Sequence, residues 1–176
     1  EVRVQGESSI GKSNGSVRRV WLEPQNPPAF PEVIQAILGA ELIIIGPGSL
    51  YTSLLPNLLV PDLAEAVRTS RAVKFYVCNV ATERGETDGY SCQDHLRAIE
   101  DHAGSGLFSL TIANNNFQDK LPSEVDWVRT EPDPQGDFAI YLADLVDPLH
   151  PWRHDGQKIA RVIMDLYLEK TGPLVQ

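Results

Sequence analysis

Cysteine, positive charge and long apolar runs are all scarce in this sequence, and each scarcity excludes a class of protein. The 176 residues include only two cysteines, too few for a disulfide scaffold or a four-cysteine zinc site. No apolar run approaches the roughly 20 residues that a membrane-spanning helix requires. Fifteen Lys and Arg against 24 Asp and Glu give a formal net charge of −9, which disfavours nucleic acid and anionic membranes as partners. We therefore expect a cytoplasmic protein.

The length fits one domain over residues 1–176, with room for a proper core. The first residues, EVRVQGE, lack the basic and apolar regions of a signal peptide. The chain opens with Glu rather than Met. We expect a chain that starts inside a longer gene product.

Apolar strands alternate with amphipathic helices along most of the chain. The run Leu42–Ile45 ends at a Gly-Pro-Gly turn and is typical of a strand buried on both faces in a parallel sheet. Further strands are predicted at 73–78, 107–112 and 138–142, with a possible edge strand at 127–129 and a hairpin formed by 1–4 and 17–22. Helices are predicted at 31–38, 49–59, 61–70, 91–102 and 156–170. The alternation favours a three-layer α/β fold with a mostly parallel sheet.

The loop after the first of these strands has the composition of an anion site. Ligands in open α/β sheets bind at the carboxyl ends of the strands, where Gly46 and Gly48 would let backbone N–H groups and a helix N-terminus approach a phosphate. Ser49, Tyr51 and Thr52 add hydroxyl groups in the first helical turn. A tight turn that merely needs glycine is the alternative, because the motif is neither a dinucleotide-binding fingerprint nor a P-loop.

The loop after the next strand, residues 79–90, is long for its position and rich in hydrogen-bonding side chains. Such loops are usually functional. A solvated loop that caps the following helix is the alternative. The candidates for binding a sugar, base or phosphate are Asn79, Thr82, Arg84, Thr87 and Asp88.

A third candidate group precedes the last helix. Arg153 and Lys158 beside a helix N-terminus make an anion clamp. The alternative is a simple N-cap by Asp155 with an exposed arginine.

The remaining cysteine and histidine residues are predicted to be structural. Cys78 ends a buried strand and is interpreted as core packing, while Cys92 is expected to be a partly exposed helix residue. His95 and His102 are interpreted as surface or boundary residues. Asp88, Asp94 and His95 match no metal-ligand spacing, so no metal site is predicted.

Several ordered motifs resemble the CofD-like family, in particular its YvcK branch, the gluconeogenesis factor or UPF0052 group. They are IGPGSLYTS at 45–53, PNLLV at 56–60, YVCN at 76–79, and GETDGY at 85–90 followed by Asp94 and His95. Gly6-Glu7-Ser8 and Arg153-His154-Asp155 with Lys158 are also similar to the family's pattern, which often has Asn where Asp155 stands. The resemblance covers nearly the whole chain.

The resemblance implies a Rossmann-like fold and a cytoplasmic bacterial protein that binds a nucleotide sugar, usually UDP-N-acetylglucosamine. It further implies an influence on carbon metabolism, cell-wall precursor supply and cell shape. The related 2-phospho-L-lactate transferases of coenzyme F420 biosynthesis transfer a phospholactyl group from a guanylated donor to a deazaflavin alcohol with Mg²⁺. The family's N-terminal GGGTG-type loop and acidic metal site have no counterpart in this sequence. Two explanations are a C-terminal portion of a longer protein, without the first strands, and a natural short form; the opening Glu1 favours the first.

These inferences predict a non-catalytic nucleotide-sugar binder. The alternatives are a transferase of the CofD kind, the one reading in which Mg²⁺ would take part, and an α/β domain with an unrelated small ligand. No catalytic residue is assigned, and a homo-oligomer is left open. The predicted ligand-binding residues are Gly46, Gly48, Ser49, Tyr51, Thr52, Asn57, Asn79, Thr82, Thr87, Asp88, Arg153 and Lys158.

Overall fold

The computed structural model describes residues 2–10, 16–132 and 136–172. Within these ranges a parallel sheet of four strands lies at the centre, in the order β1 to β4. Ile45 pairs with Tyr76, Val77 with Ile112, and Ala113 with Leu142. Because all four strands run in the same direction, their carboxyl ends meet at one edge of the sheet. The strands are β1 (Leu42–Ile45), β2 (Val73–Val77), β3 (Leu110–Asn114) and β4 (Ile140–Ala143).

The helices begin at residues suited to that position. Pro31 and Pro61 occupy the first turns of α2 and α4, where a missing N–H removes no helical hydrogen bond. Ser91 and Asp94 form a reciprocal capping box at the start of α5. The helices are α1 (Glu7–Ile10), α2 (Pro31–Gly39), α3 (Leu55–Leu58), α4 (Pro61–Thr69), α5 (Cys92–Ala103) and α6 (Gly156–Thr171), and a π-helical turn (Leu50–Leu54) leads directly into α3.

Alternate residues of the strands build two separate cores. Tyr76 points into a cluster formed with α3, α4 and α5, whereas its neighbours Phe75 and Val77 point into a cluster with Ile163 and Leu166 of α6. The period of two along a strand places these side chains on opposite faces. The predicted three-layer α/β architecture with a parallel sheet is therefore confirmed.

Two strand predictions are wrong. Residues 2–4 and 16–22 form no strand, because Val17 and Val20 pack on the first core and the Val20 N–H donates to His102 Nε2 at 3.1 Å; residue 1 and the intervening residues 11–15 lie outside the described part. Residues 127–129 are not a sheet edge. The Val128 N–H instead donates to the carbonyl of Val80, in the loop after β2, at 3.0 Å.

Helix α5 buries residues that the sequence analysis placed nearer the surface. Cys92 and His95 are fully buried, so the expectations of a partly exposed cysteine and a boundary histidine are wrong. Both lie on the helix face that packs against the sheet, where Leu96 and Ile99 follow at helical spacing. Cys78 is buried as predicted.

In the described ranges, none of the helices combines the length and the apolar character needed to cross a membrane.

Candidate functional site

Gly46 makes the sharp turn that follows β1. Its φ of +81° lies in the left-handed region, and a Cβ there would approach the Val77 carbonyl oxygen to 2.8 Å. Gly48 is different, since a Cβ at that position would meet only side chains of Ser53 and Leu54 at ordinary distances of 3.6 Å or more. The turn thus requires glycine at the first position but not at the second.

Asn79 joins this turn to the loop after β2. Its Oδ1 accepts from the Gly48 N–H at 3.2 Å, and its Nδ2 donates to the Gly48 carbonyl at 3.1 Å. The Asn79 side-chain amide therefore forms with the Gly48 backbone the same two hydrogen bonds that two residues of paired strands exchange. Two loops that were predicted separately as binding segments form one unit at the carboxyl edge of the sheet.

Two carboxylates of the second loop, Glu83 and Glu86, accept hydrogen bonds from the start of the π-helical turn. Ser49 Oγ donates to Glu83 Oε1 at 2.7 Å. Glu86 accepts from Thr52 Oγ1 at 2.9 Å and from the Tyr51 N–H at 3.3 Å. The protein's own anions thus hold donors that the sequence analysis assigned to a phosphate.

Glu86 is itself buried, with 5% of its surface exposed. Burial raises the pKa of Glu86, because removal from water disfavours the charged form, and the hydrogen bonds from Thr52 and Tyr51 act in the opposite direction. Its side chain locks the π-helical turn against the second loop.

A cleft of about 370 Å³ opens where these loops meet the segment before α6. Its size lies within the usual range for small-molecule sites. Apolar lining comes from Pro47, Val80, Ala81 and Val125. Five of the predicted ligand-binding residues line it, together with Glu83, Trp152 and His154; the five are Gly48, Ser49, Asn79, Thr82 and Arg153.

The other predicted residues from the first two loops do not line this cleft. Tyr51 is buried, and its hydroxyl lies 2.7 Å from that of Tyr90. Asn57 is exposed and donates to the Ser53 carbonyl. Thr87 is buried and accepts from the Glu83 N–H at 2.8 Å, while Asp88 accepts from the Gly85 N–H at 2.7 Å.

Lys158 also lies outside the lining. Its Nζ donates to Asp144 Oδ2 at 2.7 Å and to the Val146 carbonyl at 2.8 Å. Burial acts to raise the pKa of Asp144, but the hydrogen bond from Lys158 and the other donors outweigh it and hold that pKa below its usual range. In this structure Lys158 anchors the start of α6 to the end of β4.

Arg153 is the cation of the cleft. Its backbone is fixed by hydrogen bonds to His150 and Asp147, and Asp155 caps α6 immediately after it by accepting from the N–H groups of Gln157 and Lys158. The N-cap that was the alternative to an anion clamp is therefore present, and of the two cations of that clamp Arg153 alone lines the cleft. Within the described ranges no acceptor or carboxylate pairs with the Arg153 guanidinium, which leaves it available to a ligand.

His154 lines the cleft as a neutral imidazole. Its Nε2 lies 3.1 Å from the Cys78 carbonyl, which can only accept, so Nε2 carries a proton. Burial lowers the pKa of His154, and the bond to that carbonyl opposes the shift without reversing it. The ring is therefore neutral near pH 7, with Nδ1 as an acceptor.

Among the described residues, no group of three His, Cys, Asp or Glu side chains is placed to hold a metal ion. Asp94 caps α5 and His95 bonds to the Ser91 carbonyl inside the core.

Sequence reasoning missed Glu83, Trp152 and His154 as lining residues. Glu83 stands between Thr82 and Arg84 of the second loop, and Trp152 and His154 flank Arg153. These residues adjoin predicted ones in the sequence, but only the fold shows that the loop after β2 and the segment before α6 line the same cleft.

The sheet and its cleft define a Rossmann-like α/β domain with a ligand-sized site at the carboxyl edge of parallel strands. The family model described as 2-phospho-L-lactate transferase CofD matches residues 1–160. The chain belongs to the CofD family.

Its relatives include proteins named as gluconeogenesis factors. A putative gluconeogenesis factor from Nostoc sp. is 42% identical over 94% of this chain and 39% of its own length. The gluconeogenesis factor of Bacillus subtilis is 38% identical over 94% of this chain and 55% of its own length. A crystal structure of a UPF0052 family protein from Bacillus halodurans superposes with a TM-score of 0.80 at 37% identity, covering 92% of this chain and 55% of that one. The chain thus spans about half the length of these relatives.

Proposed function

We propose that the chain binds a nucleotide sugar of the UDP-N-acetylglucosamine type and acts within a cytoplasmic regulator of carbon metabolism, cell-wall precursor supply and cell shape. The observation that carries this proposal is the Arg153 guanidinium, which none of the described residues pairs, on a cleft of about 370 Å³ at the carboxyl edge of the sheet. Guanidinium groups bind phosphate through short charge-assisted hydrogen bonds. The overall negative charge does not oppose such a local contact.

The rest of the cleft supports a ligand with many hydroxyl groups. The neutral His154 ring and the Ser49 oxygen, whose proton goes to Glu83, can accept hydrogen bonds. The Thr82 hydroxyl, which accepts from the Asp126 N–H, can donate one. A sugar presents both donors and acceptors, so each of these groups has a partner in it. The gluconeogenesis-factor names of the relatives support a regulatory role.

A transferase of the CofD kind is the second candidate, and the description of the matching family model favours it. Catalysis of phosphoryl-type transfer rests mostly on positioning and charge stabilisation, so the cleft needs no acid and base pair for that activity. Arg153 would then hold the phosphate of a guanylated donor.

Calorimetric and thermal-shift titrations of the chain separate these functions. The probes are UDP-N-acetylglucosamine, GDP, and GDP together with the deazaflavin alcohol. At about 100 times its Kd, a ligand that binds only the folded state stabilises it by about 2.7 kcal/mol, which raises the Tm by several degrees. We expect this shift with the UDP sugar. A shift with GDP or with GDP plus the deazaflavin alcohol, but not with the UDP sugar, supports the transferase. The absence of a shift with every probe contradicts both functions.

A further inference from the structure

The segment between β4 and α6 forms a tightly tied loop on the rim of the cleft. Val146 and His154 form an antiparallel bridge at its base. Asp147 Oδ1 accepts from the N–H groups of Leu149 and His150 at 2.7 and 3.2 Å, and the Arg153 N–H donates to the His150 carbonyl at 2.8 Å. These bonds fix the backbone of the residues that enter the cleft.

Trp152 stands on this loop and lines the cleft beside Arg153. Trp152 is 40% exposed, so part of its ring is open to the cleft and to solvent. The His150 ring contacts it edge to face, with the centroids 5.4 Å apart and the planes at 84°. An edge-to-face contact leaves indole surface uncovered, and no other aromatic ring of the described residues stacks on it.

Trp152 and Arg153 together present an aromatic surface next to a cation. A nucleotide carries the complementary pair, an aromatic base and an anionic phosphate, on either side of a ribose. Stacking needs only a flat ring, so an indole binds any base, while the guanidinium fits phosphate oxygens.

We propose that Trp152 is the stacking surface for the heteroaromatic base of the ligand, a role that rests on the nucleotide binding proposed above. His150 buttresses the indole, and Arg153 takes the phosphate. Trp152 thereby makes the cleft favour nucleotides over sugar phosphates and inorganic anions, which lack an aromatic base.

The test compares UDP with pyrophosphate, which carries the phosphates without the base. Trp152→Leu keeps an apolar side chain but removes the π surface. Loss of base stacking typically weakens binding by about tenfold. We expect that loss for UDP, no change for pyrophosphate, and recovery of most UDP affinity in Trp152→Phe, all measured by isothermal titration calorimetry.

Trp21→Leu is the matched control, because Trp21 is 48% exposed, contacts Arg3 and does not line the cleft. UDP should quench tryptophan emission in the unaltered chain and in this control, but not in Trp152→Leu. Equal UDP affinity in Trp152→Leu and the unaltered chain overturns the stacking role. Equal losses for UDP and pyrophosphate overturn it too, since they indicate a structural role. Failure of the unaltered chain to bind UDP removes the proposed function and this role together.

Discussion

Replacing Gly46 by Ala adds only one methyl group, but it should lower the free energy of unfolding by several kcal/mol. The left-handed φ of +81° costs a residue with a Cβ about 1–2 kcal/mol. The added Cβ would also lie 2.8 Å from the Val77 carbonyl oxygen, and relieving such overpacking costs about 1–3 kcal/mol more. The expected loss is roughly 2–5 kcal/mol, which lowers the Tm of a chain this size by about 4–20 °C.

Gly48→Ala is the control for this substitution. Its Cβ would meet only side-chain atoms at 3.6 Å or beyond, and its φ is ordinary for any residue. Thermal unfolding followed by circular dichroism should therefore give a Tm close to that of the unaltered chain. The reasoning fails if Gly46→Ala unfolds at the parental temperature, or if Gly48→Ala is destabilised as much as Gly46→Ala.

Three further predictions concern the charges around the cleft and core. Glu83→Gln keeps an oxygen to accept from Ser49 but removes a negative charge, so UDP-N-acetylglucosamine should bind about fivefold more tightly by calorimetry; unchanged or weaker binding contradicts this. Thr52→Val removes a donor to the buried Glu86 and should cost about 1–3 kcal/mol in urea unfolding, and a loss below about 0.5 kcal/mol argues against that bond. Burial lowers the pKa of His95 in the folded protein. As the pH falls below the unfolded pKa of about 6.5, the unfolded chain therefore binds this proton first. The free energy of unfolding then decreases by at most about 1.4 kcal/mol per pH unit. His95→Gln should make the slope shallower in urea unfolding, with His154 still contributing to it, and an identical slope in both proteins refutes the assignment.

The architecture was accessible from the sequence because it depends on local patterns. An uninterrupted apolar run such as Leu42–Ile45 fits the interior of a parallel sheet. Ser91 and Asp155 mark the starts of α5 and α6 through capping that needs only nearby residues. The third predicted strand still shifted from 107–112 to Leu110–Asn114, since sheet register depends on Phe75 and its neighbours in β2.

The site was predictable only in part, because its chemistry depends on contacts between distant residues. Gly48 and Asn79 were each named, but their mutual hydrogen bonds span 31 positions. The pairing of Thr52 with Glu86 left no local trace, and the same is true of Lys158 with Asp144, 14 residues earlier. Hydroxyl and amine groups that suit a ligand suit an internal carboxylate equally well.

Calorimetric titration of Arg153→Ala with UDP-N-acetylglucosamine tests the central claim most directly. Loss of a charge-assisted contact should weaken binding by about 1.5–3 kcal/mol, which corresponds to roughly 12-fold to 150-fold in Kd. Arg84→Ala is the matched control, because Arg84 is exposed and pairs with Glu124 at 3.4 Å outside the cleft lining; its affinity should match that of the unaltered chain. Equal affinity in Arg153→Ala and the unaltered chain would contradict the assignment of this cleft as the nucleotide-sugar site.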